Sequence, residues 1–159
     1  MNGVANFSNQ KQRPTQEGQF SMPAKSQVKK KWRSDCPVNI SLELVGDKWA
    51  LLVLRDILFK GYRSFKEFSQ SKEGIATNIL SSRLKFLGES GIIESRVSEK
   101  DARVLHYMPT EKGLDLIPVI VSLVLWVDQY EKHVVPDSEI RKMKKNPEKY
   151  IGEIRSKFE

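Results

Sequence analysis

The chain has 159 residues, 39% of them hydrophobic and 30% charged, and carries a net charge of +7 at neutral pH, which suits one modest core with extensions. No apolar run approaches a membrane span, and the polar start "NFSNQKQRPTQEGQF" lacks the apolar segment of a secretory signal, so a soluble cytoplasmic protein is expected. The single cysteine, Cys36, excludes an internal disulfide framework, and with only His106 and His133 no closed Cys/His zinc site is expected.

The basic excess is uneven. Residues 1–34 hold seven Lys/Arg and one acid, whereas residues 35–110 hold eleven bases and ten acids. Composition therefore marks residues 1–35 as a basic, solvated arm, expected to be disordered. Its run "KSQVKKKWR" would at most add salt-sensitive, sequence-independent attraction to DNA.

From Cys36 onward the apolar residues become periodic. "NISLELVGDKWALLVLRDILF" predicts a short helix near Asn39 to Val45, a break at Gly46-Asp47, and a longer helix through Trp49, Leu52, Val53 and Ile57 that Gly61 closes. Ser64 is a plausible N-cap for a short helix with Phe65 and Phe68 on one edge. "GIATN" turns the chain into a helix that starts near Thr77 and runs to Ser90, with Gly91 placed for a left-handed end. "IIESRVS" and "VLHYMPT" alternate as strands around the polar connection "EKDAR". Thr110-Glu111 then opens one long helix, "EKGLDLIPVIVSLVLWVDQYEKHV". This order predicts a mainly α protein with a small β-hairpin: a winged helix-turn-helix with a long C-terminal dimerisation helix.

The second helix of the pair has an unusual outer face. With Leu80, Leu84 and Leu87 turned inward, Thr77, Asn78, Ser81, Ser82 and Lys85 face outward, and Glu89 is the one acid in the stretch. An ordinary solvated helix intersperses Glu with Lys. A face that meets phosphates and base edges excludes carboxylates and favours amides, hydroxyls and lysine. Arg83 lies at the margin of the apolar face, so it is either a DNA contact or a partly buried arginine paired with a carboxylate.

Several ordered motifs carry a family resemblance: Gly-x-Lys-Trp at Gly46 to Trp49, Leu-Arg-Asp at Leu54 to Asp56, Ser-x-Arg-Leu at Ser81 to Leu84, and Thr-Glu-Lys-Gly at Thr110 to Gly113. Over residues 36–134 the chain resembles the HxlR-type branch of the MarR-like bacterial transcription regulators. The wing departs from it, with "DARV" where members often carry a "PPRV"-like turn. The resemblance implies a homodimer on a palindromic operator in double-stranded DNA, with helix 77–90 in the major groove and a wing at 92–109 on the backbone or minor groove. Thr77, Asn78, Ser81, Ser82, Arg83 and Lys85, with Arg96, Lys100 and Arg103 of the wing, are then the candidate DNA contacts. The bland alternative for Lys100 is a solvated hairpin tip.

The last long helix is apolar over more than one stripe, so Leu116, Ile120, Leu123, Trp126 and Val127 are expected at a dimer interface; a central core helix bent at Pro118 is the other reading. Residues 135–159 are polar, with one amphipathic helix expected after the cap Asn146-Pro147. Cys36 is the only candidate for regulatory chemistry. Some members of the resembled family use a cysteine at the start of the first helix as a redox or electrophile sensor, which leaves an oxidant or small-molecule effector open; a small packing residue is the alternative. No phosphate loop, nucleophile-base pair or metal spacing supports an enzyme, and no cofactor or membrane partner is expected. A winged-helix protein-interaction module without sequence-specific DNA readout is the competing function.

Overall fold

A computed structural model describes residues 32–131 and 136–159. The proposed arm at 1–35 therefore lies almost wholly outside the described residues, as does His133. Helix α1 (Pro37–Val45) starts with proline at its first position, where no backbone donor is needed, and buries none of its residues. Asp47 caps α2 (Lys48–Arg55): its Oδ1 accepts the backbone N–H groups of Trp49 at 3.0 Å and Ala50 at 3.1 Å. Ala50, Val53 and Leu54 form the buried stripe of α2.

The expected single helix to Gly61 changes character midway. Residues Asp56–Lys60 form a π-helical turn that brings three successive residues, Asp56, Ile57 and Leu58, into the interior before Gly61 ends it. Next, Ser64 and Glu67 cap each other's backbone donors and start α3 (Phe65–Ser69). Helix α4 (Thr77–Glu89) buries Leu80, Leu84 and Leu87, at spacings of four and three residues that place them on one face. Gly91, at φ 66°, reverses the chain, and the Ile92 N–H returns to the Leu87 carbonyl at 2.9 Å.

Strands β1 (Ile93–Val97) and β2 (Leu105–Pro109) pair antiparallel, with Ile93 opposite Pro109 and Val97 opposite Leu105. The hairpin is anchored to the helical body, since the Tyr107 N–H donates to the Arg63 carbonyl at 2.7 Å. Thr110 caps α5 (Glu111–Leu114) and donates its hydroxyl to the Gly91 carbonyl at 2.7 Å. A Cβ on Gly113 would lie 2.2 Å from the Ile92 carbonyl oxygen, so only glycine lets α5 close on the root of the wing.

Two expectations about the C-terminal half are corrected. The long last helix is two, α5 and α6 (Ile117–Tyr130), because the chain turns at Asp115-Leu116 and Pro118 sits in the first turn of α6, where proline is tolerated. The polar extension is also two helices, α7 (Asp137–Lys145) and α8 (Pro147–Arg155), with Asn146 capping the second through Lys149 N–H at 2.9 Å. Both pack on α6, and Ile140, Met143, Tyr150 and Ile154 join a core of Leu54, Ile57, Phe68, Leu80, Leu87, Ile92 and Ile117.

Charges clasp the extension in place. Lys144 meets Asp128 at 2.8 Å, and Arg155 meets Asp115 at 3.0 Å and also Glu111. The Arg63 guanidinium lies 4.8 Å from the Phe158 ring centre, joining the C-terminus to the wing root. Residues Glu111–Tyr130 do reach the length and apolarity of a membrane span, contrary to the sequence expectation. They are interrupted by the turn at Asp115-Leu116, and Leu114, Ile117, Ile120 and Val121 are buried in the protein's own core.

Candidate nucleic-acid interface

The outer face of α4 is as the spacing predicts. Thr77, Asn78, Ser81, Ser82 and Lys85 are all exposed along it, opposite the leucine stripe. Lys85 reaches only to 3.9 Å from Glu89, with three quarters of its side chain in solvent, so that pair costs little to open. The face thus presents an amide, three hydroxyls and an ammonium, which can donate to and accept from base edges and neutralise phosphate.

Arg83 stands apart from these residues. Its side chain is 29% exposed and turns toward Asp47, where Nε lies 2.9 Å from Oδ1. That Nε is buried and lacks hydrogen-bond alignment with any acceptor, so charge attraction rather than a directed hydrogen bond holds the pair.

The wing has a different electrostatic character. Arg103 is folded back on Asp101, with Nε to Oδ1 and Nη2 to Oδ2 both at 3.0 Å, and Arg96 meets Glu94 at 2.5 Å. Hydrogen bonding to Arg103 holds the Asp101 carboxyl below the usual carboxylate range. Both arginines are highly exposed, so each can exchange its carboxylate for a phosphate at small cost. Lys100 is exposed at the turn between them. A cleft of about 560 Å³ opens between α3 and the wing and adds Lys66, on the first helix of the pair, to the basic groups near Arg103. The sequence reading passed over Lys66; its exposed position on the helix that precedes the recognition helix was the available signal.

Ahead of α4 in the chain lies a charged knot that the motif Leu-Arg-Asp concealed. Asp56, with 4% of its side chain exposed, accepts from Arg55 Nη2 at 2.5 Å and Ser71 Oγ at 2.8 Å and forms an ion pair with Lys60 Nζ at 3.0 Å. Arg55 also reaches Glu73 at 2.7 Å. The hydrogen bonds from Arg55 and then Ser71 pull the Glu73 carboxyl down to about 2. Ser71 and Glu73 belong to the turn before α4, so the knot ties the end of α2 to the segment that launches α4.

The proposed interface residues divide on the two sides of α6. Ile120 is buried inside the protomer and Leu116 is packed against the same core, so neither needs a partner copy for its burial; the chain's own α7 and α8 pack on α6. Leu123 and Trp126 are exposed, Val127 is half-buried, and Val119 and Tyr130 extend the exposed stripe. Trp126 and Tyr130 pack with ring centres 5.7 Å apart and ring planes tilted by 53°. Val38 and Leu42 on α1 are more than 60% exposed, a further apolar surface. Cys36 is an exposed free thiol at the cap position of α1.

A separate open cleft between α7 and α8, of about 490 Å³, is lined by Lys142, Lys145, Lys149, Tyr150 and Glu153. Burial, reinforced by the nearby Glu139 carboxylate, pushes the Tyr150 hydroxyl up to about 12. Lys142 and Lys149 are engaged by Glu139 and Glu153, which accounts for most of its basic character without a ligand.

The geometry agrees with similarity to known proteins. The HTH-type transcriptional regulator Rv3095 of Mycobacterium tuberculosis is 41% identical over 93 residues, which span 58% of this chain and 58% of that protein; the match thus covers less than two thirds of that relative's length. The reduced form of the transcriptional regulator YodB from Bacillus subtilis superposes at TM-score 0.51 and 32% identity, covering 62% of this chain and 97% of that one. The oxidised form of the redox regulator HypR superposes at TM-score 0.54 and 25% identity, covering 62% and 100%. The model of the HxlR-like helix-turn-helix family matches residues 44–135, and the chain, a winged helix-turn-helix protein, belongs to that family.

Proposed function

We propose that this protein is a sequence-specific DNA-binding transcriptional regulator, not an enzyme, that acts in the cytoplasm as a homodimer on a palindromic operator. The observation that carries the reading is the exposed, carboxylate-poor face of α4, where Thr77, Asn78, Ser81, Ser82 and Lys85 lie together beside a basic wing. In the major groove Asn78 pairs bidentately with adenine, Ser81 and Ser82 serve donors or acceptors, and Lys85 serves guanine or phosphate. Arg96, Lys100 and Arg103 position the wing on the backbone or minor groove after leaving their carboxylates.

Dimerisation uses the exposed stripe Leu123, Trp126 and Val127, extended by Val119 and Tyr130, with Val38 and Leu42 of α1 as the complementary apolar surface. Two such helix pairs related by a two-fold axis read half-sites whose centres lie about one helical turn apart, or a multiple of it. Sequencing of duplexes captured from a random pool should return an inverted repeat. Sedimentation should give a dimer at micromolar concentration that Trp126→Ala weakens; a monomeric wild type would sink the assembly.

Cys36 gives the dimer a site for an oxidant or electrophile. YodB and HypR are similar to this chain; HypR is described as a redox regulator, and YodB has been solved bound to quinone. With one cysteine per chain, the reversible products are a sulfenic acid, a mixed disulfide with a small thiol, or a bridge between two protomers. Oxidant should alter operator affinity in the wild type and leave Cys36→Ser unaffected; equal responses would return Cys36 to a structural role.

A further inference from the structure

We infer that Arg83, although it sits on the recognition helix, is a positioning residue rather than a DNA contact, and that Asp47 is its counterpart. The pair sets the angle of α4 against the N-terminus of α2. This rests on the DNA-binding reading above and assigns a specificity-determining role within it.

Three observations converge. First, Asp47 Oδ1 already accepts the Trp49 and Ala50 N–H groups, so the carboxylate is fixed in place before Arg83 arrives. Second, Arg83 Nε is buried and stands 2.9 Å from that oxygen, whereas Lys85, two residues on, is left in solvent. A guanidinium that left Asp47 for a phosphate would give up a 2.9 Å contact with a capping carboxylate. Third, α2 and α4 are packed against each other, with Ala50, Val53 and Leu54 buried on one and Leu80, Leu84 and Leu87 on the other. One charge pair across that contact, 36 residues apart in sequence, supplies a rotational stop. Because Asp47 follows the Gly46 break, the stop is attached where α1 joins α2.

A positioning arginine and a phosphate-binding arginine differ in salt dependence. Loss of a phosphate contact makes the slope of log affinity against log salt shallower by about 0.9 and weakens all duplexes alike. Loss of the rotational stop misplaces Asn78 and the serines, so it weakens the preferred duplex and leaves the slope alone. Asp47→Asn keeps an oxygen for the cap while deleting the charge, which separates the pair from helix stability.

The test measures the full-length protein on its captured duplex and on a scrambled one, at four salt concentrations, for wild type, Arg83→Ala, Asp47→Asn and the double variant. Both single variants should lose preference for the captured duplex by the same factor, about 3- to 10-fold, with the double no worse than either. Affinity for the scrambled duplex and both salt slopes should stay at wild-type values. A shallower slope in Arg83→Ala with a silent Asp47→Asn would overturn the inference and make Arg83 a phosphate contact. A wild type that shows no preference between duplexes would instead refute the DNA-readout reading. The pair is then judged by urea unfolding of the same four proteins: coupling between the two substitutions supports the strut, and additive effects reject it.

Discussion

Two of the regions that hold arginine-carboxylate pairs do so at nearly the same distances and with opposite consequences. In the knot ahead of α4, Arg55 and Lys60 surround an Asp56 whose side chain is 4% exposed, at 2.5 and 3.0 Å. On the wing, Arg96 meets Glu94 at 2.5 Å and Arg103 meets Asp101 at 3.0 Å, but the arginine side chains are 74% and 90% exposed. Water screens the second set, and partner exchange with a phosphate is cheap. In the first set Asp56 is buried, so removing its cations would leave a carboxylate stranded in the core. The same chemistry is a buried tie in one place and an exposed, exchangeable pair in the other.

The largest effect expected from this contrast is on Asp56. Asp56→Ala should destabilise the fold by about 1 to 3 kcal/mol in urea unfolding, because Arg55, Lys60 and Ser71 lose their buried acceptor and keep only Glu73. An effect as small as that of a wing substitution would erase the distinction between the two regions.

Next comes a pH dependence. Glu73, held down to about 2 chiefly by Arg55, has a folded value below its ordinary 4.5, so its contribution is fully present above the ordinary value and is lost as pH falls from there toward 2. Glu73→Gln should lower stability at neutral pH and flatten the decline over that window. An unchanged acid limb would show that Glu73 does not stabilise the turn before α4.

The smallest expected effect is on the wing: Arg103→Ala should leave the urea-unfolding midpoint at its wild-type value, since its exposed pair with Asp101 is screened by water. Asp101→Asn should be equally silent in unfolding yet raise affinity for any duplex, because it frees Arg103. A stability loss comparable to that of Asp56→Ala would mean the wing pair is structural.

Local signals in the sequence were faithful where the chemistry is local. Ser64 caps α3, Gly91 turns through positive φ, Asn146-Pro147 opens α8, and the leucines of α4 mark its buried side. The outer face of α4 was legible because a single helical period determines which residues share it. What escaped depends on distant partners. The spacing of Arg83 placed it between two roles, and only the fold brings Asp47, 36 residues away, to its Nε. Ile120 read as surplus apolar surface because nothing local reveals that α7 and α8 return to α6. The π turn at Asp56 reflects the demand to bury Ile57 and Leu58 while tying Asp56 to Ser71, which no period of 3.6 encodes. The parking of Arg103 on Asp101 is a two-residue contact, yet its net charge alone could not distinguish a free arginine from a paired one.

The central claim is that α4 reads bases while the wing holds the backbone, and it is tested most directly by comparing Asn78→Ala with Arg103→Ala on the captured and scrambled duplexes across a salt series. Asn78→Ala should cost about 1 to 3 kcal/mol on the captured duplex, relax preference at one position of each half-site, and leave the salt slope unchanged. Arg103→Ala should weaken both duplexes similarly and make the slope shallower by about 0.9. Equal losses of sequence preference in the two variants, or a change of slope in Asn78→Ala alone, would contradict the account.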